Sequence, residues 1–191
     1  MMSFIVYFFV SLVGVLMRLF PFPAKCGLVI IGNPDRSSPV LLTCNYHLTV
    51  LRVKRALKGV GAYLLVANSR GINVWCASAG GLLNNHSVIS VLKTSGIEKL
   101  VDHRNLILPQ LAATGVEPGV VKDKTGWKAT FGPVYIEDIK AFLKSGEKDV
   151  SMRKVRFDII QRIEMTVAWA FPLSVVAAIV MLPLWPDRLE A

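Results

Sequence analysis

The chain has 191 residues and a net charge of +9, and its length allows one modest domain with additional segments. Its three cysteines, Cys26, Cys44 and Cys76, are 18 and 32 positions apart, which excludes the usual zinc and iron–sulfur ligand spacings. The basic residues lack the interleaved aromatic residues typical of nucleic-acid binding. We therefore expect no nucleic-acid partner and a basic surface that faces anionic lipid headgroups.

The chain begins with an apolar run, residues 1–17, that carries no charge. A cleaved signal peptide normally starts with a positive charge, whereas the first cation here, Arg18, follows the apolar run. We therefore predict that residues 1–20 form a hydrophobic N-terminal anchor. A cleaved segment and a helix that lies flat on the bilayer remain alternatives.

Strand and helix signals alternate through the middle of the chain. Apolar runs that end at turn residues predict strands over 28–31, 40–44, 62–67, 99–101, 105–108 and 127–131, and an extended segment over 71–75. Apolar residues at helical spacing predict helices over 50–58, 88–95 and 136–145, with Thr49 and Ser87 as caps of the first two. The tract 115–126 is rich in turn residues and carries no helix prediction. This alternation predicts an α/β layered domain.

A second uncharged run, residues 165–186, is long enough to cross a hydrocarbon core of about 30 Å. Its prolines are tolerated in a membrane helix, so we predict a transmembrane helix over 163–186, with a buried helical hairpin as the alternative. Basic residues flank the middle domain on both sides, at Arg18 and Lys25 and again between residues 148 and 162. The positive-inside rule therefore predicts that the domain faces the cytoplasm from the cytoplasmic membrane.

The segment GINVWCASAGG, residues 71–81, places Trp75 and Cys76 before a run of small side chains. Such a run lets a large flat ligand approach the backbone. If a helix begins just after Trp75, its unpaired amides and dipole favour the thiolate of Cys76, which is a nucleophile and a soft metal ligand. A nucleophile needs a base, but nothing in the sequence places His47, His86 or His103 beside Cys76.

This segment closely resembles the cap-helix motif, N-(V/I)-W-C-A-(A/S)-G-K, of the corrinoid protein of microbial mercury methylation. That domain is related to the corrinoid-binding domain of the large subunit of the corrinoid iron–sulfur protein of acetyl-CoA synthesis (the CO dehydrogenase/acetyl-CoA synthase system). Further blocks that resemble the family follow in the expected order at 38–49, 103–118 and 132–143. The resemblance covers roughly residues 28–160.

The resemblance implies an α/β layered corrinoid-binding domain with a cap helix, and the two uncharged runs predict that hydrophobic transmembrane helices flank it. It implies that Cys76 is the lower axial ligand to the cobalt of a cobalamin-type corrinoid. The residues implied to line the corrin are Thr43, Asn45, Asn73, Val74, Trp75 and Ala77, with Leu108, Pro109 and Gln110 from a neighbouring loop. The motif departs from the family by an extra small residue and by Gly81 in place of lysine, and the chain lacks the cysteines for an iron–sulfur cluster.

These features predict a membrane-anchored corrinoid protein that carries a methyl group on cobalt for transfer to an acceptor such as inorganic mercury or a related metal. The expected partners are a methyl-tetrahydrofolate-dependent methyl donor protein and a ferredoxin-like electron donor, which reactivates oxidised cobalt. Two alternatives from other classes remain. One is a membrane-tethered thiol enzyme that uses Cys76 with His86 or His103, and the other is a non-catalytic membrane scaffold.

Overall fold

A five-stranded sheet forms the centre of one compact unit, Pro21–Val155, in the computed structural model, which describes residues 4–18 and 20–182. We call this segment the sheet unit. Its strands are β1 (Gly27–Ile31), β2 (Val40–Cys44), β3 (Ala62–Ala67), β4 (Asn105–Leu108) and β5 (Lys128–Phe131). Their spatial order is β1-β3-β2-β4-β5, and all neighbours are parallel except β1, which pairs antiparallel with β3.

Helices cover both faces of this sheet. They are numbered from the N-terminal helix α1 described below, and those of the sheet unit are α2 (His47–Ala56), α3 (Val74–Ala79), α4 (Asn85–Thr94), α5 (Pro118–Thr125) and α6 (Ile139–Ser145). On one face, Leu41 and Leu64 pack with Val53 of α2 and Ile139 of α6. On the other, α4 packs against β3 and α5 against β5. The two covered faces explain why every residue of β3 is buried, as is typical of a central parallel strand.

Four strand predictions, over 28–31, 40–44, 62–67 and 105–108, are confirmed within one residue, and β5 confirms the prediction over 127–131. The predicted strand 99–101 is wrong, because a 3-10 turn over Ile97–Lys99 occupies its start. Three further 3-10 turns lie at Gln110–Thr114, Ile136–Asp138 and Val150–Arg153. The mixed α/β prediction is therefore confirmed.

The starts of α2, α3 and α4 differ from prediction. Helix α2 begins at His47, so the predicted cap Thr49 lies inside it. Helix α4 is capped by Asn84, whose side chain accepts from the Ser87 amide while Ser87 Oγ accepts from the Asn84 amide at 3.0 Å. The predicted extended segment 71–75 is wrong for its last two residues, which are helical because Asn73 caps α3.

Helix α5 lies in the tract 115–126, for which the sequence carried no helix prediction. Pro118 occupies the start of the helix, and Gly126 ends it in the left-handed region at φ +75°. Proline at the first position and glycine just past the end are ordinary helix signals. These two signals did not lead to a helix prediction, because the segment has no clear apolar stripe. In the structure α5 buries one residue, Val121.

Two apolar helices form the second compact unit: α1 (Phe4–Leu16) and α7 (Ile159–Met181). They pack against each other, and Arg18 forms an ion pair with Glu164 at 3.7 Å. Among the described residues, α7 is the one helix whose length and composition would allow it to cross a membrane. Helix α1 spans about 20 Å, which is short of the hydrocarbon core, so two flanking spans are not supported. Parts of both predicted anchors, residues 1–3, 19 and 183–186, lie outside the described residues.

Candidate functional site at the carboxyl ends of the parallel strands

The loops that follow β2, β3 and β4 lie along one edge of the sheet, because these strands are parallel neighbours. Open α/β sheets bind ligands at this edge. The loop after β2 begins at Asn45, the loop after β3 leads into α3, and the loop after β4 begins at Pro109. The topology therefore brings together the three groups of residues that the sequence pointed to.

Asn45 connects the first two of these loops. Its buried Oδ1 accepts hydrogen bonds from the backbone amides of Ser69 at 2.8 Å and Gly71 at 3.0 Å. Ser69 Oγ lies 2.9 Å from the same oxygen and 2.7 Å from the carbonyl of Ile72, and its single proton serves one of the two. The Asn45 side-chain oxygen is thus occupied by the protein. Its direct contribution here is to hold the loop that leads to Cys76.

Cys76 lies in the first turn of α3, with its side chain exposed. Its amide donates to Asn73 Oδ1 at 3.1 Å, which satisfies one of the free amides of the first turn. Trp75 is also exposed, at 43%, whereas Val74 and Ala77 are buried on the side of α3 that faces the rest of the sheet unit. The short helix therefore presents an indole and a thiol to the outside.

The loop after β4 packs directly on α3. Ser78 Oγ donates to the carbonyl of Ala112 at 3.0 Å. Gly115 ends this loop, and a side chain there would clash with the carbonyl of Leu83 and would lie 2.9 Å from the carbonyl of Ser78. Because the backbones approach this closely, the turn that begins with Gln110 is held against the helix that carries Cys76.

Gln110 has a partner that the sequence analysis missed. The ammonium of Lys148 donates to Gln110 Oε1, to the carbonyl of Phe131 at 2.9 Å and to that of Gly132 at 3.4 Å. Partial burial lowers the pKa of Lys148, and the nearby charge of Arg153 lowers it further. Lys148 lies 38 positions from Gln110, so no local pattern predicts the pair.

The remaining predicted residues lie in the same region but present no polar group to a ligand. Thr43 and Leu108 are buried in β2 and β4, and Pro109 is half-buried between β4 and the following turn.

The other cysteines differ from Cys76 in position. Cys44 is buried at the end of β2, where desolvation raises the pKa of its thiol, and Cys26 is exposed just before β1.

His103 cannot act as the base for Cys76. It precedes β4, at the amino ends of the strands, whereas Cys76 follows the carboxyl end of β3. Its Nδ1 accepts from the amide of Asn105 at 3.2 Å, which leaves Nε2 to donate to the carbonyl of Ser38 at 3.0 Å. His103 lines a depression of about 440 Å³ at that opposite edge, which also includes Val40 and Asn105. His86 lies in the first turn of α4 and is exposed.

Within residues 4–18 and 20–182, no group of three or more His, Cys, Asp or Glu side chains could hold a metal ion. The chemistry of the candidate site is therefore one exposed thiol beside amide groups. One soft ligand suits a metal whose other ligands come from a separate molecule.

A family model described as CO dehydrogenase/acetyl-CoA synthase delta subunit matches residues 20–143. Among curated proteins, the chain is similar to the acetyl-CoA decarbonylase/synthase complex subunit gamma of Methanothermobacter thermautotrophicus, with 41% identity over 109 residues, or 56% of this chain and 23% of that protein. Subunits gamma from Archaeoglobus fulgidus and Methanocaldococcus jannaschii are 36% and 37% identical over 65% of this chain and 26% of each relative.

The chain thus spans about a quarter of the length of these relatives. The family match begins just before the sheet unit and ends within α6, so it includes all five strands and the loops that carry Asn45, Cys76 and Gln110. The match covers well over half of the chain. The chain belongs to the CO dehydrogenase/acetyl-CoA synthase delta subunit family.

Proposed function

We propose that the sheet unit binds a cobalamin-type corrinoid and carries a methyl group on its cobalt, with Cys76 as the lower axial ligand. The observation that carries this proposal is the exposed thiol of Cys76 at the ligand-binding edge of the sheet, in a chain of this family. The relatives are named as subunits of an acetyl-CoA decarbonylase/synthase complex, which supports a role within a multi-protein methyl-transfer system.

The residues at this edge fit such a group. A corrin would bring its cobalt already bound, so the protein would need to provide one donor, and the thiolate of Cys76 would be a soft donor of this kind. Gly81 follows α3 with φ +71°, and a side chain at this position would meet nothing within 4 Å, so the surface beside the helix is open. Trp75 and Cys76 are exposed, so a flat ring could approach both side chains from solvent.

When bound, the corrinoid would supply the cobalt–carbon chemistry of methyl transfer. The chain's own residues position it. Asn73 holds the first turn of α3, and with it Cys76, through the 3.1 Å hydrogen bond to the Cys76 amide. Asn45 fixes the preceding loop through Ser69 and Gly71. We propose that a methyl-tetrahydrofolate-dependent protein supplies the methyl group and that a ferredoxin-like protein reduces oxidised cobalt.

Replacing Cys76 by alanine is expected to remove the thiolate signature from the visible spectrum of protein reconstituted anaerobically with cobalamin. We expect corrinoid affinity to fall by about tenfold or more, because loss of a group that merely orients a metal ligand already costs about tenfold to hundredfold. Cys26→Ala is the control, since Cys26 is also an exposed thiol at this edge of the sheet but lies just before β1 and not in α3. Identical spectra for wild type and Cys76→Ala would overturn the assignment.

We also propose that α7 anchors the chain in the cytoplasmic membrane, with the sheet unit in the cytoplasm. Helix α7 exposes large apolar side chains, among them Leu173, Val176 and Ile179, and soluble proteins rarely expose a continuous surface of this kind. The basic residues of the segment before α7 support the orientation, because cations favour the cytoplasmic side.

Val176→Asp is expected to shift the full chain from carbonate-washed membranes to the soluble or aggregated fraction. A carboxylate near the middle of a span costs about 3 kcal/mol on insertion scales. Val176→Leu should remain with the membranes. Complete release of the wild-type chain by carbonate would contradict the anchor.

Two methyl acceptors are compatible with this carrier. The relatives favour a protein of the acetyl-CoA decarbonylase/synthase type, whereas the segment around Cys76 resembles the mercury-methylation motif. We favour the first, because Gly81 stands where the mercury family has lysine. Reconstituted, methylated protein incubated separately with Hg²⁺ and with a decarbonylase/synthase complex discriminates between them, and rapid methylmercury formation would reverse this preference.

A further inference from the structure

The environment of Lys148 suggests a specific task for this residue. The segment between α6 and the last 3-10 turn of the sheet unit brings Lys148 to the carboxyl ends of β4 and β5, where it is half-buried. Lysine has three protons to donate, and three oxygens surround it: Gln110 Oε1 and the carbonyls of Phe131 and Gly132. All three N–H groups of the ammonium therefore have acceptors within the protein, so the ammonium does not itself contact a ligand.

This contact determines which way the Gln110 amide points. The ammonium donates and never accepts, so the oxygen of the amide must face it and the NH₂ group must point elsewhere. Within the described residues, Gln110 Nε2 donates to no protein acceptor, and Gln110 is half-buried. The two N–H groups of the Gln110 side chain are thus available to donate to a ligand, on the turn that packs against the helix of Cys76.

We propose that Lys148 is a positioning residue that orients Gln110 so that its NH₂ group donates to a carbonyl acceptor on the rim of the bound corrinoid. This inference rests on the proposed function, because it assumes that the ligand lies at the edge that carries Cys76. The amide side chains of a cobalamin-type corrin provide such acceptors. Lys148 acts through Gln110 and makes no contact with the ligand.

A double-mutant cycle tests this coupling in the full detergent-solubilised chain. Cobalamin affinity is measured by visible titration for wild type, Lys148→Met, Gln110→Ala and the double variant. Each single substitution is expected to weaken binding about fivefold, the usual value of one neutral hydrogen bond, and the double variant should be no weaker than Gln110→Ala. Lys148→Arg, which retains donors, is expected to restore part of the affinity.

Gln110→Glu separates positioning from a purely structural role. A carboxylate still accepts from Lys148 but has no proton to donate to a ligand, so we expect the melting temperature to be retained and the affinity to fall as in Gln110→Ala. Multiplicative effects in the double variant, or full affinity in Gln110→Glu, would overturn the proposal while leaving corrinoid binding intact. Failure of the wild-type chain to bind cobalamin would overturn both.

Discussion

Replacing Asn45 by alanine is expected to lower the free energy of unfolding of the sheet unit by about 3 kcal/mol, or roughly 10 °C in melting temperature. The substitution removes the oxygen that accepts from the backbone amides of Ser69 and Gly71, and leaves both donors without a partner in a buried position. A buried donor without a partner costs about 1–3 kcal/mol, so two such donors account for the effect.

Asn68→Ala provides the matched control for Asn45→Ala. Asn68 is in the loop after β3 that Asn45 holds, and its Oδ1 also accepts from a backbone amide, that of Arg70 at 2.9 Å, but it is exposed and water can replace it. We expect a change of about 0.5 kcal/mol or less. Unfolding in guanidinium chloride, followed by tryptophan fluorescence, gives both values. Similar losses for the two variants would show that the buried hydrogen bonds of Asn45 do not stabilise the loop.

Gly115→Ala is expected to destabilise the sheet unit by about 3 kcal/mol, at the upper end of the cost of overpacking. The added methyl group would collide with the carbonyl of Leu83 and approach both the carbonyl and the Oγ of Ser78. Backbone atoms cannot rotate away as a flexible side chain does, so the turn that begins at Gln110 must separate from α3. We therefore also expect weaker cobalamin binding.

Gly119→Ala is the control for this second substitution. Gly119 lies inside α5, and a methyl group there meets nothing within 4 Å. Because alanine favours helix over glycine, we expect this variant to be more stable by about 0.5–1 kcal/mol. A stability in Gly115→Ala equal to that of wild type would contradict the close approach between the turn and α3.

The strands were predictable because their signals are local. Each of β1, β2 and β3 is an apolar run that ends at residues typical of turns, so the pattern alone defines where the strand lies. Helix α5 was not predictable in the same way. It contributes only Val121 to the core, and its caps were the sole local signal.

The candidate site was only partly predictable. The small residues after Cys76 and the resemblance of its motif are visible in the sequence, and they point to α3. The partners of the site residues could not be found in this way. Asn45 and Ser69 are 24 positions apart and Gln110 and Lys148 are 38 positions apart, and no periodic pattern relates residues at such separations.

The sequence by itself determined the positions of the main strands, the apolar helix α7 and the unusual surroundings of Cys76, because apolar periodicity and turn residues act over a few neighbours. Only the tertiary structure decided that the loops after β2, β3 and β4 share one edge, that His103 lies at the other, and that Lys148 holds Gln110. Strand order and buried hydrogen bonds join distant segments, so they arise when the sheet assembles and leave no local signature.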